Sequence, residues 1–408
     1  MPTRPMLNVS ERRVVFLVGA VQFINVLDFT MVMPLGPDFA RALHIPMSDL
    51  GKVVAGYGQA AAVAGFFGSF FLDRFDRRKA LAIAMLGLVC GTLAGGLAHG
   101  LPSLTWARVI AGAFGGPATS LSYAIIADVI PPARRGKAMG AVMGAFSVAQ
   151  VLGVPAALVV SDRFGWRVPF YSVAILGGAV ALAAVFLLPS LTLHRERGTD
   201  EPVATMGELL ARPTVLLSFS MTATLMTAGF LVIPNLAAYA QYNLHYPRSQ
   251  YQYLLAVGGC ASFITLRLFG RLTDRIGSFR AGSIGVAMSL VVMWILLVRP
   301  PDPAPVMLLY VAFLIALGAR NVAYNALTTK VPRPYERARF LSLQSTVYHA
   351  TSGAAAWLST SFLRQLPDGR LEGVPRLALM SMALSAILPL LMWLVERRVA
   401  RESVPTRA

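Results

Sequence analysis

Apolar runs of about 18 residues or more recur from one end of this chain to the other. At a rise of about 1.5 Å per residue, each is long enough as a helix to cross a hydrocarbon core about 30 Å thick. Of the 408 residues, 56% are hydrophobic and only 13% are charged. A soluble protein of this length would need far more polar surface to cover its core. The pattern therefore specifies an all-α polytopic membrane protein. A membrane β-barrel is excluded, because its strands would be about ten residues long with strict alternation.

The formal net charge is +17. Nucleic-acid binding would need these bases gathered on a soluble domain, and no such domain is present in the pattern, so no nucleic-acid partner is expected. Basic residues retained on the cytoplasmic side, facing anionic membrane lipids, account for the excess. Cys90 and Cys260 each lie in an apolar run and read as buried packing residues, with no disulfide framework or metal site implied. Arg4, Arg12 and Arg13 precede the first apolar run, as in a signal peptide. That run is too long for a signal core and lacks a small-residue cleavage site, so it reads as a retained first helix.

Broken at charge, Pro and Gly, the chain divides into twelve spans. The first six are Arg13–Leu35, Leu50–Leu72, Ala80–His99, Ser103–Val129, Ala138–Val160 and Arg167–Pro189. The second six are Pro213–Ala240, Tyr251–Thr273, Ala281–Val298, Val306–Thr329, Phe340–Leu363 and Val374–Val395. Residues 1–190 and 213–408 thus read as two six-helix bundles, the second with a short cytoplasmic tail, joined by a polar cytoplasmic linker, 191–212. Within the linker, "TMGELLA" has the pattern of a short amphipathic surface helix. Basic residues cluster on alternate loops, around Arg77, Arg134, Arg195, Arg275 and Arg337. The opposite loops are poorer, although Arg364, Arg370 and Arg376 blur the last of them. This bias places both termini inside the cell.

The two halves echo one another. "SFFLDRFDRRK" from Ser69 corresponds to "GRLTDRIGSFR" from Gly270, and "VIPPARRGKAMG" corresponds to "KVPRPYERARFL". Asp73 lies 201 residues before Asp274, and Pro131 lies 201 residues before Pro332. Two motifs sharing one offset indicate duplicated, pseudo-symmetric six-helix bundles, the architecture of transporters that rock two bundles about a central site.

These residues resemble the major facilitator superfamily over essentially the whole chain. The family's G-x-x-x-D-R-x-G-R-R loop matches Ser69, Asp73, Arg74, Asp76, Arg77 and Arg78, with Ser69 and Asp76 standing where the pattern has glycine. The second copy keeps both glycines, Gly270 and Gly277. "LTWARVIAGAFGG" resembles the family's L-x-x-x-R-x-x-x-G pattern through Arg108 and Gly112. "NVLDFTMVMPLGPDF" resembles the first helix of its drug:proton antiporter branch, and "VAQVLGVPAAL" loosely resembles the antiporter motif through Gly153 and Pro155. Twelve spans match the twelve-helix subfamily. The resemblance implies the major facilitator fold and a conformational latch. In it, Asp73 would meet the N-terminus of the eleventh helix, Arg77 would pair with Asp128, and Asp274 would be the second-copy counterpart. An acid at a helix N-terminus gains roughly 0.3–2 kcal/mol.

Asp28 is an acid deep in an apolar span, where a fixed charge costs at least about 2.5 kcal/mol. It reads either as a carboxyl that binds a proton and responds to substrate, or as a hydrogen-bonded structural acid. Arg108 would modulate Asp28, pair with another acid or hold a helix interface. Arg320 has no counterpart at the repeat offset, where Thr119 stands, so it reads as substrate-facing or as part of a structural pair. A polar and aromatic substrate cavity would be lined by Gln22, Asn25, Tyr57, Gln59, Tyr123, Gln150, Asn235, Tyr239, Arg320, Asn321, Tyr324, Asn325, Gln344 and His349. Singly, each could equally be interhelical glue.

No phosphate-cradling loop, nucleophile elbow or spaced metal site occurs in the sequence. No enzymatic activity and no cofactor are therefore expected, the proton gradient being the energy source. The expected protein is a monomeric, multi-pass secondary transporter of the inner membrane. It would export small hydrophobic or amphiphilic compounds in exchange for protons, with Asp28 and Arg108 carrying the coupling. A nutrient symporter or facilitator, and a non-transporting receptor or lipid-handling protein on the same scaffold, are the alternatives.

Overall fold

A computed structural model describes residues 9–71, 75–188, 206–333 and 336–402. Long helices dominate. In the first part they are α1 (Val9–Ala42), α2 (Leu50–Phe71), α3 (Arg77–Gly96), α4 (Leu101–Val129), α5 (Pro132–Val148, continuing over Val154–Phe164) and α6 (Arg167–Leu187). A short helix, Met206–Ala211, follows at the predicted place in the linker, with Leu209 fully buried. Then come α7 (Pro213–Phe230), α8 (Arg248–Ile276), α9 (Ser278–Met293), α10 (Val306–Thr328), α11 (Arg337–Thr360) and α12 (Val374–Glu402). A two-residue hairpin pairs β1 (Arg364–Gln365) with β2 (Leu371–Glu372) between the last two helices.

Among the described residues, ten helices are long and apolar enough to cross a membrane. The other two expected spans, α2 and α11, are also helices, of 22 and 24 residues, and side chains such as Gln344 and His349 make α11 the more polar. The first span is longer than the sequence pattern predicts. The expected span ends at Leu35, yet α1 runs through Pro34 and Pro37 to Ala42. The thiols are a correction: Cys90 and Cys260 are free and exposed, not buried. An apolar surrounding rewards an apolar outer surface, so hydrophobicity alone does not separate inward from outward positions in such a helix.

The chain divides into two compact units. The first comprises residues 1–45, 52–203 and 337–353, and the second comprises 46–51, 204–336 and 354–408. The first unit takes in the early part of α11. Glycines permit close helix approaches in it: a Cβ on Gly91 of α3 would stand 2.4 Å from Ala111 N of α4, and one on Gly58 of α2 would stand 2.8 Å from Gly353 Cα of α11.

The loop motif solves one problem in two ways. In the first unit Asp76 is the N-cap of α3, its Oδ1 accepting from Arg78 N at 2.9 Å. Such a cap satisfies an otherwise orphaned amide and meets the positive end of the helix. In the second unit the corresponding position is Gly277, at φ 89°. There Glu396 of α12 supplies the carboxylate, accepting from Ser278 N at 2.7 Å and Phe279 N at 3.3 Å.

A second echo inverts its signs. Glu11 of α1 pairs with Arg134 of α5 at 2.8 Å in the first unit. In the second unit Arg212, beside the start of α7, pairs with Glu336, beside the start of α11. Arg212 stands 201 residues after Glu11, and Glu336 falls within one residue of the same offset from Arg134. Arg212 also bonds Glu402 of α12 at 2.5 Å.

Candidate functional site

In the first unit, α1, α2, α3 and α4 bring together a buried ionic cluster. Asp28 is 0% exposed and Arg108 is 1% exposed. Arg108 of α4 reaches across to α1 and donates from Nη2 to Asp28 Oδ2 at 2.5 Å and from Nη1 to Oδ1 at 3.1 Å. This fork matches the planar guanidinium to both carboxylate oxygens. Thr92 Oγ1 of α3 adds a third donor to Oδ1 at 2.7 Å. A buried pair in such geometry is held strongly, because removing either partner strands a charge away from water.

The cluster extends through α2. The Arg108 guanidinium stands 5.0 Å from the centre of the Tyr57 ring, within cation–π range. Tyr57 Oη donates to Asn25 Oδ1 at 2.5 Å, and Asn25 Nδ2 donates to Gly115 O at 2.8 Å and Thr119 Oγ1 at 2.7 Å. Gln22 Nε2, one turn earlier on α1, reaches Thr119 O at 3.4 Å. Glycines on α4 make room: a Cβ on Gly112 would stand 2.2 Å from Tyr57 O, and one on Gly115 would stand 2.2 Å from Tyr57 Oη.

Beside the ionic cluster lies an aromatic one. The ring of His349, on α11, is centred 5.6 Å from Phe29, 5.9 Å from Tyr57 and 5.0 Å from Tyr348. His349 is buried and its Nδ1 has no hydrogen-bond partner. Of the predicted cavity residues, Gln22, Asn25, Tyr57 and His349 thus meet around Asp28 and Arg108. Tyr123 and Gln150 are half-buried elsewhere in this unit.

Asn235, Arg320, Asn321 and Tyr324 belong to the second unit. Tyr324 shares a hydrogen bond with Thr222 at 2.8 Å, and Asn235 Nδ2 donates to Ser359 Oγ at 3.1 Å. Arg320 is buried against α12, with Nη1 3.4 Å from Ser385 Oγ. A cavity of about 680 Å³ opens in this unit beside the hairpin, lined in part by Tyr239, Asn243, Arg364, Arg370 and Arg376. Of the predicted cavity residues, Tyr239 alone is among those lining it.

At the loop motif, Arg77 Nε lies 3.2 Å from Asp128 Oδ2, at the end of α4. Asp274 is exposed near the end of α8. Asp73 lies outside the described residues. Among the described residues, no group of three His, Cys, Asp or Glu side chains is placed to hold a metal.

The family model of the Major Facilitator Superfamily matches residues 18–356 and again 219–407. The chain belongs to the major facilitator superfamily. Solved structures agree on the fold. A bacterial homolog to the human lysosomal transporter Spinster, inward-facing and occupied, matches with a TM-score of 0.74 at 17% identity, covering 98% of this chain and 100% of that one. The xylose transporter XylE from E. coli, partially occluded and inward open, gives 0.73 at 17% identity, covering 98% and 99%. The nucleoside transporter NupG gives 0.69 at 13% identity, covering 94% and 99%. The protein is therefore an all-helical, multi-pass secondary transporter of the major facilitator fold. It works by alternating access and is not an enzyme, and a small-molecule substrate is typical of the family.

Thr92, Thr119, Phe29 and Tyr348 are site residues that the sequence pattern does not single out. A helical threonine ordinarily bonds its own preceding turn, and Thr92 does so too, with Leu88 O at 2.9 Å. Only proximity to Asp28 reveals its second bond.

Proposed function

We propose that the protein is a proton-coupled antiporter of the inner membrane, both termini cytoplasmic, which exports small hydrophobic or amphiphilic compounds. The observation that carries this reading is the fully buried Asp28, forked by Arg108 and held by Thr92.

A proton arriving at Asp28 would neutralise the carboxylate and leave Arg108 without its counter-charge. Arg108 touches Tyr57, and Tyr57 is bonded to Asn25, which bridges α1 and α4. Loss of the fork would therefore loosen α1, α2 and α4 together, so that protonation is converted into helix rearrangement. The aromatic rings packed edge to face around the buried His349 form an apolar cluster suited to an amphiphile. Arg77 and Asp128, with Asp73 and Asp274 in the two motif copies, would latch the cytoplasmic ends of the two six-helix halves.

The test is proton movement in proteoliposomes holding the purified protein under an imposed pH gradient. The amphiphilic cation ethidium and the amphiphilic acid octanoate serve as trial substrates. Wild type should move protons when a transported substrate is added, and Asp28→Asn should not. Unchanged coupling in Asp28→Asn would remove Asp28 from the mechanism. Inward movement of substrate together with the proton would replace the antiporter by a symporter.

A further inference from the structure

The first unit satisfies its buried guanidinium internally; the second does not. Arg320 of α10 is 3% exposed, yet among the described residues its one hydrogen bond is the long contact from Nη1 to Ser385 Oγ at 3.4 Å. Its Nε has no partner. Among the described residues no carboxylate lies within ion-pair distance of it. A guanidinium remains protonated in proteins, so burial cannot be relieved by shedding the proton. A buried cation without a partner is strongly unfavourable, and such residues in membrane helices mark substrate pathways.

The surroundings point the same way. Gly229 of α7 faces the guanidinium, for a Cβ there would stand 4.0 Å from Arg320 Nη2. One residue further on, at Phe230, α7 ends, and the chain passes through Leu231 and Val232 into the 3₁₀ turn Ile233–Asn235. Broken helices within a membrane transporter line the substrate site, since irregular backbone at that depth needs polar partners. Asn235 Oδ1 in that turn and Asn321 Oδ1 beside Arg320 in sequence are also buried without partners.

We propose that Arg320, at the break in α7, binds the carboxylate of the transported compound, so that the substrates are organic monocarboxylates. Charge decides between anions: one carboxylate neutralises one guanidinium, whereas a phosphate dianion would leave a net negative charge buried. The planar guanidinium also suits a carboxylate, which it can grip with two parallel hydrogen bonds. This names a substrate class for the transport reading above and rests on it.

The test measures binding to the full-length protein in detergent, without any pH gradient. The readout is the thermal midpoint in the presence of octanoate or benzoate, set against octanamide, benzamide and inorganic phosphate. At least one carboxylate should raise the midpoint with increasing concentration, as a ligand of the folded state does, while its amide and phosphate leave it unchanged. Arg320→Gln should weaken that response by about 100-fold or more in half-saturating concentration. Ser385→Asp, which would supply a tethered carboxylate, should raise the midpoint without ligand and abolish the response. It decides the matter even if Arg320→Gln does not fold.

No response to either carboxylate overturns the proposal. So do equal responses to acid and amide, a response to phosphate as strong as to carboxylate, or a carboxylate response that survives Ser385→Asp. Binding here is independent of proton coupling. A protein that binds octanoate but moves no protons would leave Arg320 standing and remove the antiporter reading instead.

Discussion

Glu396 Oε1 accepts a hydrogen bond from Ser278 N at 2.7 Å, across 118 residues of chain. A side chain near the end of α12 thereby caps the start of α9. Asp76 does the same for α3 from within its own loop.

These two caps give a paired prediction. Asp76→Ala and Glu396→Ala should each lower stability by about 1 kcal/mol, read as a lower thermal midpoint of the solubilised protein. Asp76→Gly, which restores the family's residue, should cost only about a few tenths of a kcal/mol. An unchanged midpoint for Asp76→Ala would show that the carboxylate contributes nothing to the cap.

For the buried pair, Asp28→Asn should destabilise the protein by about 3–5 kcal/mol, because it strands the Arg108 charge. Adding Arg108→Gln should recover much of that loss, since no isolated charge remains. A double-mutant cycle on the thermal or denaturant midpoint measures the coupling. Additive effects of the two substitutions would contradict the fork seen between them.

Gly112 and Gly19 form a contrast in packing. Gly112→Ala places a Cβ 2.2 Å from Tyr57 O and should cost about 1–3 kcal/mol as α2 and α4 are forced apart, with transport falling in parallel. Gly19→Ala meets nothing within 4 Å and should be close to neutral or slightly stabilising. Thermal midpoints of the two variants, side by side, check this.

The pair Arg77–Asp128 tests the latch. Arg77→Gln and Asp128→Asn should each slow transport while leaving the amount of inserted protein unchanged. The exchange Arg77→Asp with Asp128→Arg should restore part of the rate, because the contact survives with its signs reversed. Single and exchanged variants with identical rates would make the pair a bystander.

Much of the fold can be read directly from apolar runs, because a membrane helix declares itself by length and composition. The duplication is also legible, since Asp73 with Asp274 and Pro131 with Pro332 share one offset. Asp28 stands out as an acid among apolar neighbours, yet its partner lies 80 residues away, and spacing along the chain says nothing about which helix faces which. The cap from Glu396 is hidden for the same reason. Asp76, read only as a departure from a glycine pattern, has a local explanation that needs backbone geometry to be seen. Arg134 reads as a loop charge obeying a topological bias, although in space it pairs with Glu11 and holds α1 against α5.

That last contact, with its inverted copy, bears on assembly. Twelve similar helices emerge into the membrane in sequence, and two homologous sets could exchange partners as they collect. Were α1 to dock on α11 in place of α5, Glu11 would meet Glu336; were α5 to dock on the start of α7, Arg134 would meet Arg212. Both errors bring like charges together in a poorly hydrated place, and both correct pairings bring opposites. With the signs of one copy reversed, each contact is complementary only within its own repeat.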